Sequence, residues 1–194
     1  PVYKRIVDIY LIRHTKTDTE TGLCYGQSDV ALTDSFAEEA RLIRAKLPEL
    51  TADCLVISSP LTRCVALAQS FQRPFETDDR LQEVAFGDWE NQRFDDIDTE
   101  ILKNWTENFV TMPPPNGESF SDLCRRAGSF WDELLAKKQA EQILIVTHAG
   151  VIRALFAHIL QLPSVNAFQI RVDVGSVHKL QHKDDYTYVH YLNR

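Results

Sequence analysis

The stretch IVDIYLIRH, residues 6–14, decides the fold. It is β-branched and almost continuously apolar until it breaks at Arg13 and His14, the pattern of a parallel strand covered on both faces rather than of a half-exposed edge. A polar, glycine-containing loop follows in TDTETGLCYGQSD (17–29). Phe36, Ala40, Ile43 and Leu47 then recur at helical spacing behind a cap at Thr33 or Ser35, and Pro48 ends the run. Residues 54–57 form a second short apolar strand, Ser58 and Ser59 supply a cap, and Pro60 is expected in the first turn of a helix over 61–71.

The alternation continues. A third strand is expected near 75–77, a helix over 93–108, a rigid break at TMPPPNG (111–117) and a long helix from a Ser119 cap to about Gln139. A fourth buried strand is expected over 143–146, with a helix over 151–160 behind it. From 168 to 191 the residues alternate as strands around a hairpin turn in QHKDDYT (181–187). Strands alternating with helices imply an α/β fold: a three-layer α/β/α sandwich with a mostly parallel central sheet. One domain over 1–194 is expected, with a helical, cap-like segment around 89–117.

Composition bounds the function. The chain has 194 residues and a net charge of −7, from 21 basic and 28 acidic residues, without a cluster of Lys and Arg. That argues against nucleic acid or an anionic membrane surface as partner. Residues 143–160 are apolar enough to imitate a membrane span but contain His148, Gly150, Arg153 and His158, which suit a buried strand and helix better. Lys4 and Arg5 before the first apolar run imitate a signal peptide, but Asp8 and Arg13 interrupt it. Cys24, Cys54, Cys64 and Cys124 are scattered without a CxxC pair, as expected of reduced thiols in a cytoplasmic protein.

In such sheets ligands sit beyond the carboxyl ends of the strands. Arg13-His14, the segment 58–63 and Thr147-His148 each follow an apolar strand, so they are expected to converge on one crevice. Two arginines and two histidines there make a small positive cavity suited to phosphate, with Arg13 and Arg63 as clamps and a helix N-terminus adding its dipole. The same cations disfavour protonation of an imidazole, leaving His14 able to attack phosphorus. Taken singly, each of these residues has a blander reading as a structural histidine or a surface ion pair. Their joint placement is what points to chemistry.

Other phosphatase chemistries lack their signatures. No cysteine begins an HCxxxxxR loop, and no GxxxxGK[ST] loop is present. The pairs Asp78-Asp79, Asp95-Asp96 and Asp184-Asp185 have no histidine companions, so no metal site is expected. His178 and His182 are read as surface residues. Phe86, Trp89 and Trp105 are candidates to stack on a heteroaromatic group, with Trp89 chosen as a substrate contact, whereas Trp131 is spaced for packing with Leu123, Leu134 and Leu135.

Five segments, LIRHTKT (11–17), SSPLTRC (58–64), LQEVAFGDWEN (81–91), PPNGES (114–119) and VTHAGVIR (146–153), resemble in order the signatures of the histidine phosphatase superfamily, with its phosphoglycerate-mutase-like fold. Within it, GLCYGQSDVALT (22–33), the FGDWE segment, PNGESF (115–120) and FQIRVDVGS (168–176) are most similar to alpha-ribazole phosphatases, which act in assembly of the cobalamin nucleotide loop. The resemblance implies a phosphohistidine on His14, a phosphoryl group held by Arg13, Arg63 and His148, and proton donation by Glu83, with no cofactor and a small phosphomonoester as substrate. Thr15, Lys16 and Glu20 depart from the family's usual glycine, glutamate and asparagine. Lys16 adds charge at the mouth, and Gln27 is the candidate to replace the missing amide. A broader sugar-phosphate phosphatase is the nearer alternative, a mutase is disfavoured by the short chain, and a non-catalytic phospholigand-binding or interaction module is the alternative from another class.

Overall fold

The computed structural model describes residues 6–137 and 140–194. The described strands form one six-stranded sheet, built from β1 (Val7–Arg13), β2 (Leu55–Ser58), β3 (Glu76–Thr77), β4 (Gln142–Thr147), β5 (Val177–Lys183) and β6 (Tyr186–Tyr191) in the spatial order β3-β2-β4-β1-β5-β6. The pairs β1·β4, β2·β4 and β2·β3 are parallel, and β5 and β6 extend the sheet antiparallel at one side.

The expected cover on both faces is present. Ile9 and Leu11 of β1 and Ile143 and Ile145 of β4 enter one core, together with α4 (Phe120–Lys137) and α5 (Ala149–Leu160). Tyr10, Ile12, Leu144 and Val146 enter the other, against α1 (Phe36–Lys46) and α2 (Thr62–Ser70). Period-two side chains feed both layers, which is why these strands read as continuous apolar runs. Trp131 packs in the first core with Leu123 and Leu134, as its spacing implies.

Several boundaries differ from expectation, each for a local reason. Pro60 lies before α2 rather than inside it: Leu61 is the cap, and its carbonyl accepts from the backbone N–H of Cys64 and Val65. The helix expected over 93–108 is the shorter α3 (Thr99–Asn108), because the Asp98 carboxylate accepts from Glu100 N and Ile101 N and fixes its start there. Residues before it fold back on the early loop, with Phe94 N donating to Gly22 O. Ser119 begins α4 as expected, exchanging hydrogen bonds with Asp122. The helix is described to Lys137, and the expected end at Gln139 lies outside the described residues.

Residues 168–176 are not strand. Residues 168 and 169 end a 3-10 helix (Ser164–Gln169) and 170–176 form a strap of loop, and the hairpin narrows to Asp184 and Asp185, both in the left-handed region with φ of 54° and 65°, which matches the twist of the flanking strands. His178 and His182, expected at the surface, are buried on β5, on the same inward side as Leu180. His178 is tied at both ring nitrogens: Nδ1 accepts from Asn193 N, and Nε2 meets Ser176 Oγ.

Candidate active site

The register across the parallel strands pairs Arg13 with Thr147 and Ser58 with Val146, so β1, β2 and β4 end side by side at their carboxyl ends. Backbone bonds extend this alignment into the loops: His14 N donates to Thr147 O, and Ser59 N donates to Val146 O. His14 and His148 thereby meet with ring centroids 5.2 Å apart. His14 lines a cavity of about 630 Å³ together with Arg13, Arg63 and Glu83, while His148 is fully buried against it.

His14 is only 4% exposed. Its Nδ1 lies 2.7 Å from the carbonyl of Thr15, and since a carbonyl can only accept, Nδ1 carries the proton and Nε2 keeps its lone pair. Burial, reinforced by the nearby Arg63 and Arg13 guanidinium groups, pushes its pKa down to about 3, overcoming the opposite pull of the Thr15 carbonyl. His148 is also held well below the usual histidine range, chiefly by burial and then by His14 and Arg63. Its Nε2 sits 2.8 Å from Ser59 Oγ and 3.5 Å from Cys64 Sγ.

Each arginine is anchored by loop carbonyls. Arg13 Nη1 donates to Val172 O at 2.7 Å, and Arg63 donates to Gly26 O and to Ser28 O. Arg13 Nε, Arg63 Nε and Thr15 Oγ1 are buried without a partner among the described residues. Arg13 and Arg63 nonetheless line the cavity, and their permanently charged forks suit an anion that brings several acceptor oxygens.

Glu83 sits across from the histidines. Its Oε2 accepts from Gly150 N at 3.1 Å and its Oε1 from Val84 N at 2.9 Å. A Cβ added at Gly150 would collide with Glu83 Oε1, so the glycine of THAG is needed for this close approach. Arg126 braces the loop from behind, donating to the carbonyls of Arg80, Gln82 and Glu83 while paired with Glu118.

The remaining sequence candidates are distributed differently. Gln27 Nε2 donates to Glu83 O, so its amide braces the acid's backbone instead of lining the cavity. Lys16 is exposed and does not line it either. Trp89 is 5% exposed and packs edge-on behind Trp105. It is thus screened from the cavity, whereas Phe86 and Trp105 reach it.

Three residues escaped the sequence reading. Glu90 accepts from Ser28 Oγ and from the backbone N–H of Gly26, Gln27 and Phe86. Burial pushes its pKa up, but these bonds together outweigh it and hold Glu90 below the usual carboxylate range. It thereby fixes the loop whose carbonyls hold Arg63. Arg153 lines the cavity from α5, and Glu118 lines it from the loop before α4. Both lie inside quoted motifs, VTHAGVIR and PPNGES, and the only available signal was a charge placed beside residues already chosen. Among the described residues no group of three or more His, Cys, Asp or Glu is arranged to hold a metal ion, and no helix is long and apolar enough to cross a membrane.

The profile of the histidine phosphatase superfamily, branch 1, matches residues 9–194. An adenosylcobalamin/alpha-ribazole phosphatase of Escherichia coli strain K12 is 31% identical over 86% of this chain and 86% of its own. A glucosyl-3-phosphoglycerate phosphatase of Mycolicibacterium vanbaalenii is 28% identical over 84% of this chain and 78% of its own. The crystal structure of the alpha-ribazole phosphatase from Shigella flexneri superposes with a TM-score of 0.89 at 29% identity, covering 97% of this chain and 96% of that one.

Proposed function

The chain belongs to the histidine phosphatase superfamily, branch 1, and from that premise we propose that it hydrolyses phosphomonoesters through a phosphohistidine on His14. The observation that carries this reading is the hydrogen bond from His14 Nδ1 to Thr15 O, which leaves Nε2 unprotonated on a ring that lines the same cavity as Arg13 and Arg63. His14 Nε2 attacks phosphorus in line. The bond to the ester oxygen breaks, its electron pair leaves with that oxygen, and Glu83 delivers the proton. The ionised Glu83 then takes a proton from water, whose oxygen attacks the phosphohistidine, and the P–N electron pair returns to Nε2. Arg13, Arg63 and His148 hold the equatorial oxygens, where charge gathers in a metaphosphate-like transition state.

The preferred substrate is alpha-ribazole 5'-phosphate, in cobalamin nucleotide-loop assembly. Two things support it: likeness to relatives of that activity over nearly the whole chain, and a cavity whose far wall is aromatic, with Phe86, Trp105, Phe109 and Phe168 available to a benzimidazole ring. Likeness to a glucosyl-3-phosphoglycerate phosphatase favours a second reading, a broader sugar-phosphate phosphatase.

Hydrolysis of p-nitrophenyl phosphate in EDTA by the wild type and by His14→Ala tests the chemistry. Turnover in the wild type and its loss in the variant are expected, and equal turnover in both contradicts the mechanism and favours a binding module. Comparison of kcat/KM on alpha-ribazole 5'-phosphate, sugar phosphates and 3-phosphoglycerate tests the substrate, with similar values contradicting the cobalamin assignment.

A further inference from the structure

Arg153 stands apart from the phosphate clamps. It lies on α5, five residues after His148, with its guanidinium 5.4 Å over the ring of Phe168. Its Nε donates to Ile170 O, two residues before the carbonyl that anchors Arg13. One strap of loop thus holds two guanidinium groups beside the same cavity. Like charges so placed repel, and burial pulls the pKa of Arg153 down while Glu83 pulls it up. Among the described residues the terminal nitrogens of Arg153 make no hydrogen bond and no ion pair. Glu83 already accepts from two backbone N–H groups and must carry a proton to serve as acid.

The direction in which this charge acts is informative. The arginines that bear on His14 are Arg63 and Arg13. Arg153 does not bear on His14; its charge meets Glu83, as that of Arg13 also does, and it lines the same cavity as that carboxylate. Its planar face is covered by Phe168, which also packs edge-on against Phe109 and Phe120. A half-buried fork of donors, stacked on Phe168, therefore shares the cavity with the acid and with an apolar, aromatic wall. An ester that fits this order has its phosphate first, a polar linking group next and an apolar ring last.

We propose that Arg153 is a specificity-determining residue that grips an oxygen acceptor, a hydroxyl or ring oxygen of a sugar, on the leaving group of the ester. This rests on the phosphatase reading. No bond is made or broken by Arg153. Its two free N–H edges donate to the sugar oxygens while Phe168 holds the guanidinium plane.

The test compares wild type, Arg153→Met and Arg153→Lys on alpha-ribazole 5'-phosphate, ribose 5-phosphate, 3-phosphoglycerate and p-nitrophenyl phosphate, with near-UV circular dichroism to follow folding. The quantity read is kcat/KM for each sugar ester divided by that for p-nitrophenyl phosphate, which offers no sugar oxygen. In Arg153→Met this ratio is expected to fall by about tenfold or more through KM, the loss of a charge-assisted hydrogen bond. Arg153→Lys, which keeps charge and bulk but loses the fork, is expected to fall less, and it decides the matter alone if the methionine variant does not fold. An unchanged ratio, with all esters losing alike, makes Arg153 a third phosphate clamp and overturns the proposal. A selective loss on 3-phosphoglycerate makes it a carboxylate anchor and overturns it equally. Failure of the wild type to hydrolyse any of the four esters overturns the phosphatase reading itself, and with it this role.

Discussion

The two ends of the cavity are built by different means. At the histidine end, His14, Arg13 and His148 follow directly from β1 and β4, and their positions are fixed by sheet register and by carbonyls of neighbouring loops. At the opposite end, the wall comes from α3, the turn at Phe86 and the 3-10 helix at Phe168, segments that the sheet does not order. One end is specified by backbone geometry and the other by side-chain packing of inserted segments, including a small aromatic cluster around Trp89, Trp105 and Phe86. In the proposed reaction, chemistry common to all esters belongs to the first end, and discrimination among leaving groups to the second.

Substitutions can break this division or sharpen it. His14→Ala is expected to lower kcat by about 10⁴-fold or more on every ester, since removing a nucleophile eliminates the covalent route. Glu83→Gln is expected to cost about 10²- to 10⁴-fold on alkyl esters and far less on p-nitrophenyl phosphate, whose leaving oxygen needs little help from an acid. Equal losses on both would remove Glu83 from that role. Gly150→Ala forces Glu83 from its seat, because the new methyl meets Oε1, and a loss of about 10²-fold is expected. Steady-state kinetics on the paired substrates reads all three. At the other end, Phe168→Ala is expected to raise KM for an aromatic leaving group by about tenfold, the worth of a buried aromatic contact. A fall in kcat shared by all esters would place Phe168 with the chemistry instead.

The smallest expected effects concern stability. His14 and His178 are held at about 3 and about 4, below the ordinary 6.5, chiefly by burial. The unfolded chain therefore binds protons that the fold refuses, and stability, full above about pH 6.5, falls as pH drops toward those folded values. Melting temperature measured between about pH 7.5 and 4.5 should decline accordingly, less steeply in His178→Gln. A flat profile would contradict the buried, neutral state of these rings. Asp98→Ala removes the cap of α3 and is expected to cost about 1 kcal/mol, or roughly 2 to 4 °C in Tm.

The same division explains what could be read from the sequence. Continuous apolar runs ending in Arg13-His14 and Thr147-His148 disclose buried parallel strands and what stands at their ends, because strand register converts sequence position into spatial position. The wall offers no such rule. Phe86, Trp89 and Trp105 carry the same signal, yet Trp89 turns inward behind Trp105, an outcome set by how α3 packs. Glu90 accepts from loop N–H groups and Arg126 donates to loop carbonyls, contacts that no periodicity encodes. His178 and His182 lie inward with Leu180, a placement that a polar residue type conceals.

The central claim is that His14 carries the phosphoryl group between the two halves of the reaction. Rapid quenching in alkali after mixing with a ³²P-labelled ester, followed by peptide mapping, tests it directly. The account predicts one alkali-stable, acid-labile label on His14, absent from His14→Ala and accumulating in Glu83→Gln if dephosphorylation slows. Full turnover with the label on another residue, or with none on the quenched protein under conditions where the chemical step is fast and release slow, would contradict it.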